Sequence, residues 1–215
     1  PDSALKLTYG KAFRAPTIFE FNGTETESLD SQEMEMYELN YTHNIQLGEN
    51  IQLSNTSAVY QMTNSNLYSK VYDAELAAHS TSHFAGWRTV VSGEYEVVGF
   101  EDLLKLTYKR LSGFLGFRWV HPDETTVNGE DIANGLPITK IKLGCSYQFL
   151  SYLDASLFID HWSKVESEVN QLDGTGTEVL TIDPWTQVDF NMNIGVFDLE
   201  SMQATISLYV KNIFD

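Results

Sequence analysis

Apolar and polar residues alternate along most of this chain, and this period of two constrains its fold more than any other feature. In residues 141–149, Ile141, Leu143, Cys145, Tyr147 and Phe149 alternate with polar or small residues. The same rhythm recurs in residues 39–47, 188–196 and 202–210. A helical period is hard to find, so we expect an all-β fold whose strands have one apolar and one polar face.

The alternation predicts nine long strands. They cover residues 4–13, 36–47, 51–62, 88–97, 103–119, 138–149, 153–164, 185–196 and 202–211. In the third strand the apolar residues change from odd to even positions between Leu53 and Ala58. This change predicts either a β-bulge or some apolar residues on the otherwise polar face of the strand. Residues 70–78 are expected to form a hairpin arm within a long loop.

Short and long connections alternate between these strands. Short turns are expected at 48–50, 98–102, 150–152 and 197–201, and long loops at 15–34, 63–87, 120–137 and 165–184. Tight turns at one end and long loops at the other are typical of an antiparallel transmembrane β-barrel in an outer membrane. Aromatic residues near strand ends fit its interfacial girdles. They are Trp119, Phe149, Tyr152, Trp162, Trp185, Phe197 and Phe214.

A soluble, secreted β-sandwich binding module also has strands with one polar and one apolar face, so this fold remains an alternative. Strands of 10 to 13 residues favour the membrane barrel, because sandwich strands are usually shorter. Single-chain barrels have even strand numbers, so nine strands predict that a closing strand lies outside this sequence.

The formal net charge of −17 argues against nucleic acid as a partner. The segments 20–35, 121–137 and 165–184 hold half of the acidic residues and no Lys or Arg. Such loops would repel an anion, which favours a neutral or cationic ligand unless other parts of the protein supply Lys and Arg or Ca²⁺ bridges the acidic residues. The single Cys145 lies on an apolar face and is expected to act as a small hydrophobe.

One segment is more specific than the alternation. Tyr9-Gly10-Lys11-Ala12-Phe13-Arg14-Ala15-Pro16-Thr17 resembles the "Y-G-x-x-F-R-A-P-T" segment of bacterial TonB-dependent outer-membrane receptors. The end of the chain, with Asn212, Ile213, Phe214 and Asp215, is similar to the family's "x-x-N-L-F-D" segment. The family motif residues are therefore Phe13, Arg14, Ala15, Pro16, Asn212, Phe214 and Asp215.

The resemblance implies a fragment, residues 1–215, of the C-terminal part of a 22-stranded barrel, with the plug and the last strand absent. It implies an integral outer-membrane receptor that imports a scarce nutrient by energy-coupled uptake, with an iron chelate such as a siderophore as first choice. The implied partners are the TonB-ExbB-ExbD complex, outer-membrane lipid and lipopolysaccharide, and a small-molecule nutrient, and no cofactor or enzymatic activity is expected. A passive, porin-like channel remains an alternative. The family's haem-receptor box "N-P-N-L" is missing after Pro16, which disfavours haem.

The residues suggest few sites. Arg14 and Pro16 suit a strand exit, where Arg14 can hold loop carboxylates or contact a ligand. His79 and His83, four residues apart, and the nearby Trp87 are candidate ligand-binding residues, although no metal site is expected. The segment 173–178 contains Asp173 and Glu178 but lacks the spacing of a known calcium loop, so it is expected to be an acidic loop tip.

Overall fold

A computed structural model describes residues 2–17, 20, 29–72, 87–122, 126–127, 130–131, 137–170, 177–199 and 202–214. Nine strands form one antiparallel sheet in which sheet order follows chain order. They are β1 (Asp2–Arg14), β2 (Gln32–Leu47), β3 (Ile51–Tyr72), β4 (Trp87–Tyr108), β5 (Leu111–Pro122), β8 (Thr139–Leu150), β9 (Leu153–Trp162), β12 (Trp185–Leu199) and β13 (Met202–Val210). The expected number of strands is confirmed.

Two small hairpins lie between the main strands. β6 (Thr126–Val127) pairs with β7 (Glu130–Asp131), and β10 (Val165–Asn170) pairs with β11 (Thr177–Ile182). No helix within the described residues has the length and apolar character needed to cross a membrane.

The strand register separates the two faces of the sheet. On the face that we call the apolar face, one row of directly opposite residues runs through Leu7, Leu39, Val59, Phe100 and Trp119. On the other, which we call the polar face, the adjacent row runs across eight strands. Its members are Lys6, Asn40, Ala58, Glu101, Arg118, Lys140, Trp162 and Trp185.

The apolar face has no protein packed against it in the described part of the chain. Leu7 is 76% exposed and Ile206 is 62% exposed. Among the described residues, the buried hydrophobic side chains are only Leu29, Val97, Val120 and Val165. Burial of apolar area is the main favourable term in folding, so this face requires an apolar solvent such as lipid.

The two ends of the sheet differ as the sequence predicts. At one end lie the turn after β2, where Gly48 has φ 68°, and the turns at 109–110 and 151–152. The hairpin between β12 and β13 also closes there, although residues 200–201 lie outside the described part. The other end carries the connections 15–31, 73–86, 123–138 and 163–184. Long and short connections therefore alternate.

The turn predicted at 98–102 is wrong. β4 continues through these residues to Tyr108, and the chain reverses at Lys109, whose φ of 53° supplies the left-handed residue of the turn. Gly99, within the predicted turn, lies beneath the ring of Tyr60 on the neighbouring strand. The predicted strands 88–97 and 103–119 thus become Trp87–Tyr108 and Leu111–Pro122.

The predicted loop at 63–87 is also corrected. β3 continues to Tyr72, which pairs with Trp87 at the start of β4. Residues 63–72 are therefore part of β3, and residues 70–72 do not belong to a separate hairpin arm. Residues 73–78 lie outside the described part. The bulge expected between Leu53 and Ala58 is wrong, because the register is unbroken from Ile51 to Asn64 and shifts only beyond it. The alternative, that the polar face of this strand carries some apolar residues, is correct, since Ala58 lies on the polar face.

Candidate ligand-binding site

Three basic residues lie together on the polar face. Arg118 of β5 is directly opposite Lys140 of β8, because these strands pair in register. Lys142 lies two residues along β8 on the same face, opposite Gly116, which adds no side chain between the two strands. The pairing of β5 with β8 therefore concentrates three positive charges.

These cations make no ion pair with the described residues. The ion pairs there involve Lys11, Arg14 and Lys164. Glu101 is opposite Arg118, and Asp160 is opposite Lys142, yet neither carboxylate comes within 4.0 Å of a described cationic nitrogen. Nε of Arg118 is buried and has no hydrogen-bond partner among the described residues. A buried donor without an acceptor is costly, so this group suits an acceptor supplied from outside.

Two tryptophans extend the basic group sideways. Trp162 of β9 is opposite both Lys140 and Trp185, and Lys140 Nζ lies 4.4 Å from the centroid of the Trp162 ring. The Trp162 and Trp185 rings stack with centroids 5.0 Å apart and an interplanar angle of 14°. A cation over an indole face is attracted by the ring quadrupole, and the contact holds both groups in place.

We call Arg118, Lys140, Lys142, Trp162 and Trp185 the cation–indole patch. Trp185 is 38% exposed, so an indole surface remains open beside the three charges. A flat aromatic group can stack there while its negative charge meets the cations. The patch is therefore suited to an anion that carries aromatic rings.

The expectation that Trp162 and Trp185 belong to an interfacial girdle is wrong. Both lie on the polar face, because their positions share the row of Lys140 and not that of the apolar residues. Trp119 does lie on the apolar face, opposite Phe100.

Arg14 occupies the polar-face end of β1 and holds the loop that follows. Its Nε donates to Gln32 Oε1 at 2.7 Å, its Nη2 forms an ion pair with Glu20 Oε1 at 2.7 Å, and its guanidinium lies 5.2 Å from the centroid of the Tyr68 ring. The structure thus shows Arg14 holding a loop carboxylate. Direct contact between Arg14 and a ligand stays a prediction.

Glu20 ties the loop together from its other carboxylate oxygen. The backbone N–H and the hydroxyl of Thr17 donate to Oε2 at 2.7 and 2.9 Å. The pKa of the Glu20 carboxyl lies below its usual value, first because the Thr17 N–H stabilises the charged form and then because Arg14 does. Nearby, Asn66 donates to the carbonyl of Ser31 at 3.0 Å. The base of this loop is therefore an ordered polar network.

The other predicted site residues cannot be placed around the patch. His79 and His83 lie outside the described residues, as does Asp173, and only the backbone of Trp87 and Glu178 is described. Their ligand roles stay predictions.

The second family segment has a structural role. Asn212, in the left-handed region with φ 51°, donates its backbone N–H to Asp189 Oδ1 at 3.0 Å, and Ile213 donates its own to the carbonyl of Val188 at 2.9 Å. These bonds fasten the residues after β13 onto β12. Asp215 lies outside the described residues.

A family model described as TonB dependent receptor-like, beta-barrel, matches residues 1–213. The chain belongs to the TonB-dependent receptor family. Its nine strands are therefore part of a transmembrane barrel, in which the apolar face meets lipid and the polar face lines the lumen. No match is found among curated protein sequences.

Solved structures of the family are similar in fold over nearly the whole chain. The ferric enterobactin receptor PfeA of Pseudomonas aeruginosa has a TM-score of 0.72 at 16% identity, with 99% of this chain and 33% of that chain covered. The pyoverdine receptor FpvA of Pseudomonas aeruginosa has a TM-score of 0.71 at 16% identity, with 99% and 30% covered. The copper transporter OprC has a TM-score of 0.65 at 12% identity, with 99% and 31% covered. This chain thus spans about a third of the length of these proteins.

The cation–indole patch was not predicted from the sequence. The alternation placed Lys140 and Lys142 on a polar face, but it gave no register between strands. The misplaced turn at 98–102 also hid that β5 begins at Leu111. One signal was available, since Lys140 and Lys142 are two of only 13 basic residues in the chain and lie on one strand face.

Proposed function

We propose that this chain is the C-terminal part of the barrel of an outer-membrane receptor that imports an anionic metal chelate with aromatic rings, with a ferric chelate as first choice. The cation–indole patch is the observation that carries the proposal. It combines three cations that have no ionic partner in the described part of the chain with an exposed indole stack on the face that lines the lumen.

The position of the patch suits early capture of a ligand. Trp162 and Trp185 flank the connection 163–184, so the patch lies at the end of the lumen that carries the long connections. A ligand that enters past these loops meets Lys140 and Trp185 before the deeper wall. Acidic loops alone would favour a neutral or cationic ligand, but Arg118 Nε on the lumen wall is buried from water. Charge there acts more strongly than at an exposed loop.

Several named relatives support a metal chelate as the ligand class. PfeA is named for ferric enterobactin, FpvA for pyoverdine, and PirA of Acinetobacter baumannii as a siderophore receptor. We propose that uptake here is active and depends on the TonB-ExbB-ExbD complex, acting through parts of the protein that precede this chain. Under this proposal the nutrient crosses the lumen only when the complex is energised.

Uptake by cells tests this proposal. Cells that produce the intact receptor take up a radiolabelled ferric tris-catecholate, with and without a protonophore that collapses the proton gradient. We expect uptake that the protonophore abolishes and that K140Q/K142Q reduces about tenfold or more, since charge-assisted contacts are each worth about 1.5 to 3 kcal/mol. K6Q removes a charge on the same face of β1, which four strands separate from β8, so it serves as the control and should leave uptake unchanged.

The outcomes separate the alternatives. Uptake that persists in the presence of the protonophore would indicate a passive channel. Energy-dependent uptake that is the same in K140Q/K142Q as in the wild type would support an active transporter but would show that the patch is not its ligand site.

A further inference from the structure

One group of polar side chains interrupts the apolar face in the middle of its span. Asn55 and Ser57 of β3 lie on this face with Val59, and Asp102 of β4 lies on it with Phe100 and is directly opposite Ser57. These three residues, Asn55, Ser57 and Asp102, are called the lipid-side polar cluster below. They account for the phase break in the apolar pattern of β3.

The cluster is joined by hydrogen bonds. Asn55 Nδ2 donates to Asp102 Oδ1 at 2.9 Å, and Ser57 Oγ lies 2.5 Å from the same oxygen and 3.0 Å from Asn55 Oδ1. Both bonds to Asp102 use Oδ1, and no described residue donates to its Oδ2. The arrangement therefore keeps one carboxylate oxygen as an open acceptor.

The polar side chains continue across the neighbouring strands. His43 of β2 is directly opposite Asn55, and Ser3 of β1 is opposite His43. A hydrogen bond joins Ser3 Oγ and His43 Nδ1 at 2.6 Å. The other ring nitrogen of His43, Nε2, has no hydrogen-bond partner among the described residues. Polar groups thus form a stripe over four strands of the apolar face.

The cluster lies at the depth of the hydrocarbon. Asp102 is six residues from Tyr108 near the turn and six from Glu96 toward the other end. With about 3.4 Å per residue and a tilt near 40°, six residues rise about 15 Å, so Asp102 is close to the middle of an apolar band about 25 Å tall. Lipid tails offer no hydrogen-bonding group there, and a carboxyl group facing them loses its solvation in either protonation state.

We propose that the lipid-side polar cluster is covered by a second copy of this chain within the membrane. The cluster and the adjacent His43 offer both an acceptor and donors for hydrogen bonds. Asp102 Oδ2 is the acceptor, and the donors are the N–H of Asn55 Nδ2 that does not bond Asp102 and the His43 ring. A two-fold axis brings the acceptor of each copy to the donors of the other, so one contact satisfies both. The residues next to the cluster on this face are apolar and would form the edge of the contact between the two copies. They include Val59, Phe100 and Phe117.

This inference goes beyond transport and does not depend on the ligand. Ser57→Cys in a Cys145→Ser background places one thiol in the cluster of the intact receptor, and Leu208→Cys in the same background places one on the apolar face of β13 as the control. Outer membranes are oxidised with copper phenanthroline and separated without reductant.

We expect Ser57→Cys to give a disulfide-linked species of twice the receptor mass and Leu208→Cys to stay monomeric. We also expect Asp102→Leu, added to Ser57→Cys, to abolish the linked species while the barrel still folds, as judged by its heat-modifiable mobility. Equal linkage for Ser57→Cys and Leu208→Cys would overturn the proposal. So would linkage of Ser57→Cys to a protein of another mass, because the occupant would then be a different membrane protein.

Discussion

The indole rings of Trp162 and Trp185 stack across neighbouring strands, with centroids 5.0 Å apart, and Lys140 lies against the far side of the pair at 4.4 Å from the Trp162 centroid. The lysine is held by the inner ring, which leaves the outer ring open. An aromatic ligand can therefore add to the stack without displacing the cation.

The open ring of Trp185 leads to the first prediction. Trp185→Ala should weaken binding of an aromatic ferric chelate to the intact receptor about tenfold, because aromatic contacts of this kind are worth about 0.5 to 1.5 kcal/mol beyond area burial. Ligand titration followed by tryptophan fluorescence quenching measures the change. Trp119→Ala, on the lipid-facing side, should leave the affinity unaltered, and equal losses in both variants would contradict the site.

The second prediction concerns the close packing of Phe114 over Gly144. A Cβ at Gly144 would lie 2.2 Å from Phe114 Cε1, so Gly144→Ala must displace this ring. Overpacking of this kind costs about 1 to 3 kcal/mol. Urea unfolding of the receptor in detergent micelles should show this loss for Gly144→Ala.

Gly116 provides the control on the same face. A Cβ there would meet Lys142 Cβ at 3.6 Å, which is ordinary van der Waals contact, so Gly116→Ala should leave the unfolding midpoint close to that of the wild type. Adding Phe114→Ala to Gly144→Ala removes the clash together with the half-buried Phe114 ring. A Gly144→Ala midpoint equal to that of Gly116→Ala would show that the Phe114 ring moves aside freely.

The third prediction is a pH dependence at the loop base. The pKa of Glu20 is lowered in the folded state, so its contacts with Thr17 and Arg14 contribute fully at pH values above the unfolded pKa and are lost as the pH falls through the folded value. Protection of the Thr17 amide from hydrogen exchange, corrected for the intrinsic rate, should therefore decrease as the pH falls below the ordinary pKa of a glutamate carboxyl.

Glu20→Gln isolates the charge in that experiment. The variant should show weaker protection of the Thr17 amide at neutral pH and little further change on acidification, whereas Glu49→Gln, in a turn at the opposite end of the sheet, should behave as the wild type. A wild-type protein whose Thr17 amide keeps full protection at every acidic pH at which the barrel stays folded would refute the assigned role of the carboxylate.

Much of the fold could be predicted from the sequence because alternation is a local signal. Ile141, Leu143 and Tyr147 face lipid, as their period of two indicates, and short turns alternate with long connections as expected. The reversal at Lys109 was missed because neither Lys109 nor Arg110 is a typical turn residue, whereas Gly99 is typical and yet lies within β4.

The candidate site could not be predicted in the same way. Arg118, Lys140 and Trp162 come from three strands and meet only in one register, and a slip of a single residue would turn any of them to the lipid. A single sequence carries no direct signal for register. The break in alternation at Asn55 and Ser57 was visible in the sequence, but its meaning needed the position of Asp102 on the next strand.

Equilibrium binding to the purified intact receptor measures whether the cation–indole patch selects anionic ligands. The dissociation constants of K140Q/K142Q and of the wild type are compared for an anionic ferric chelate and for a neutral chelate with the same number of aromatic rings. We expect the double variant to lose about tenfold or more in affinity for the anionic chelate, as charge-assisted contacts require, and little for the neutral one. Equal losses for both chelates, or no loss for either, would contradict this role of the patch.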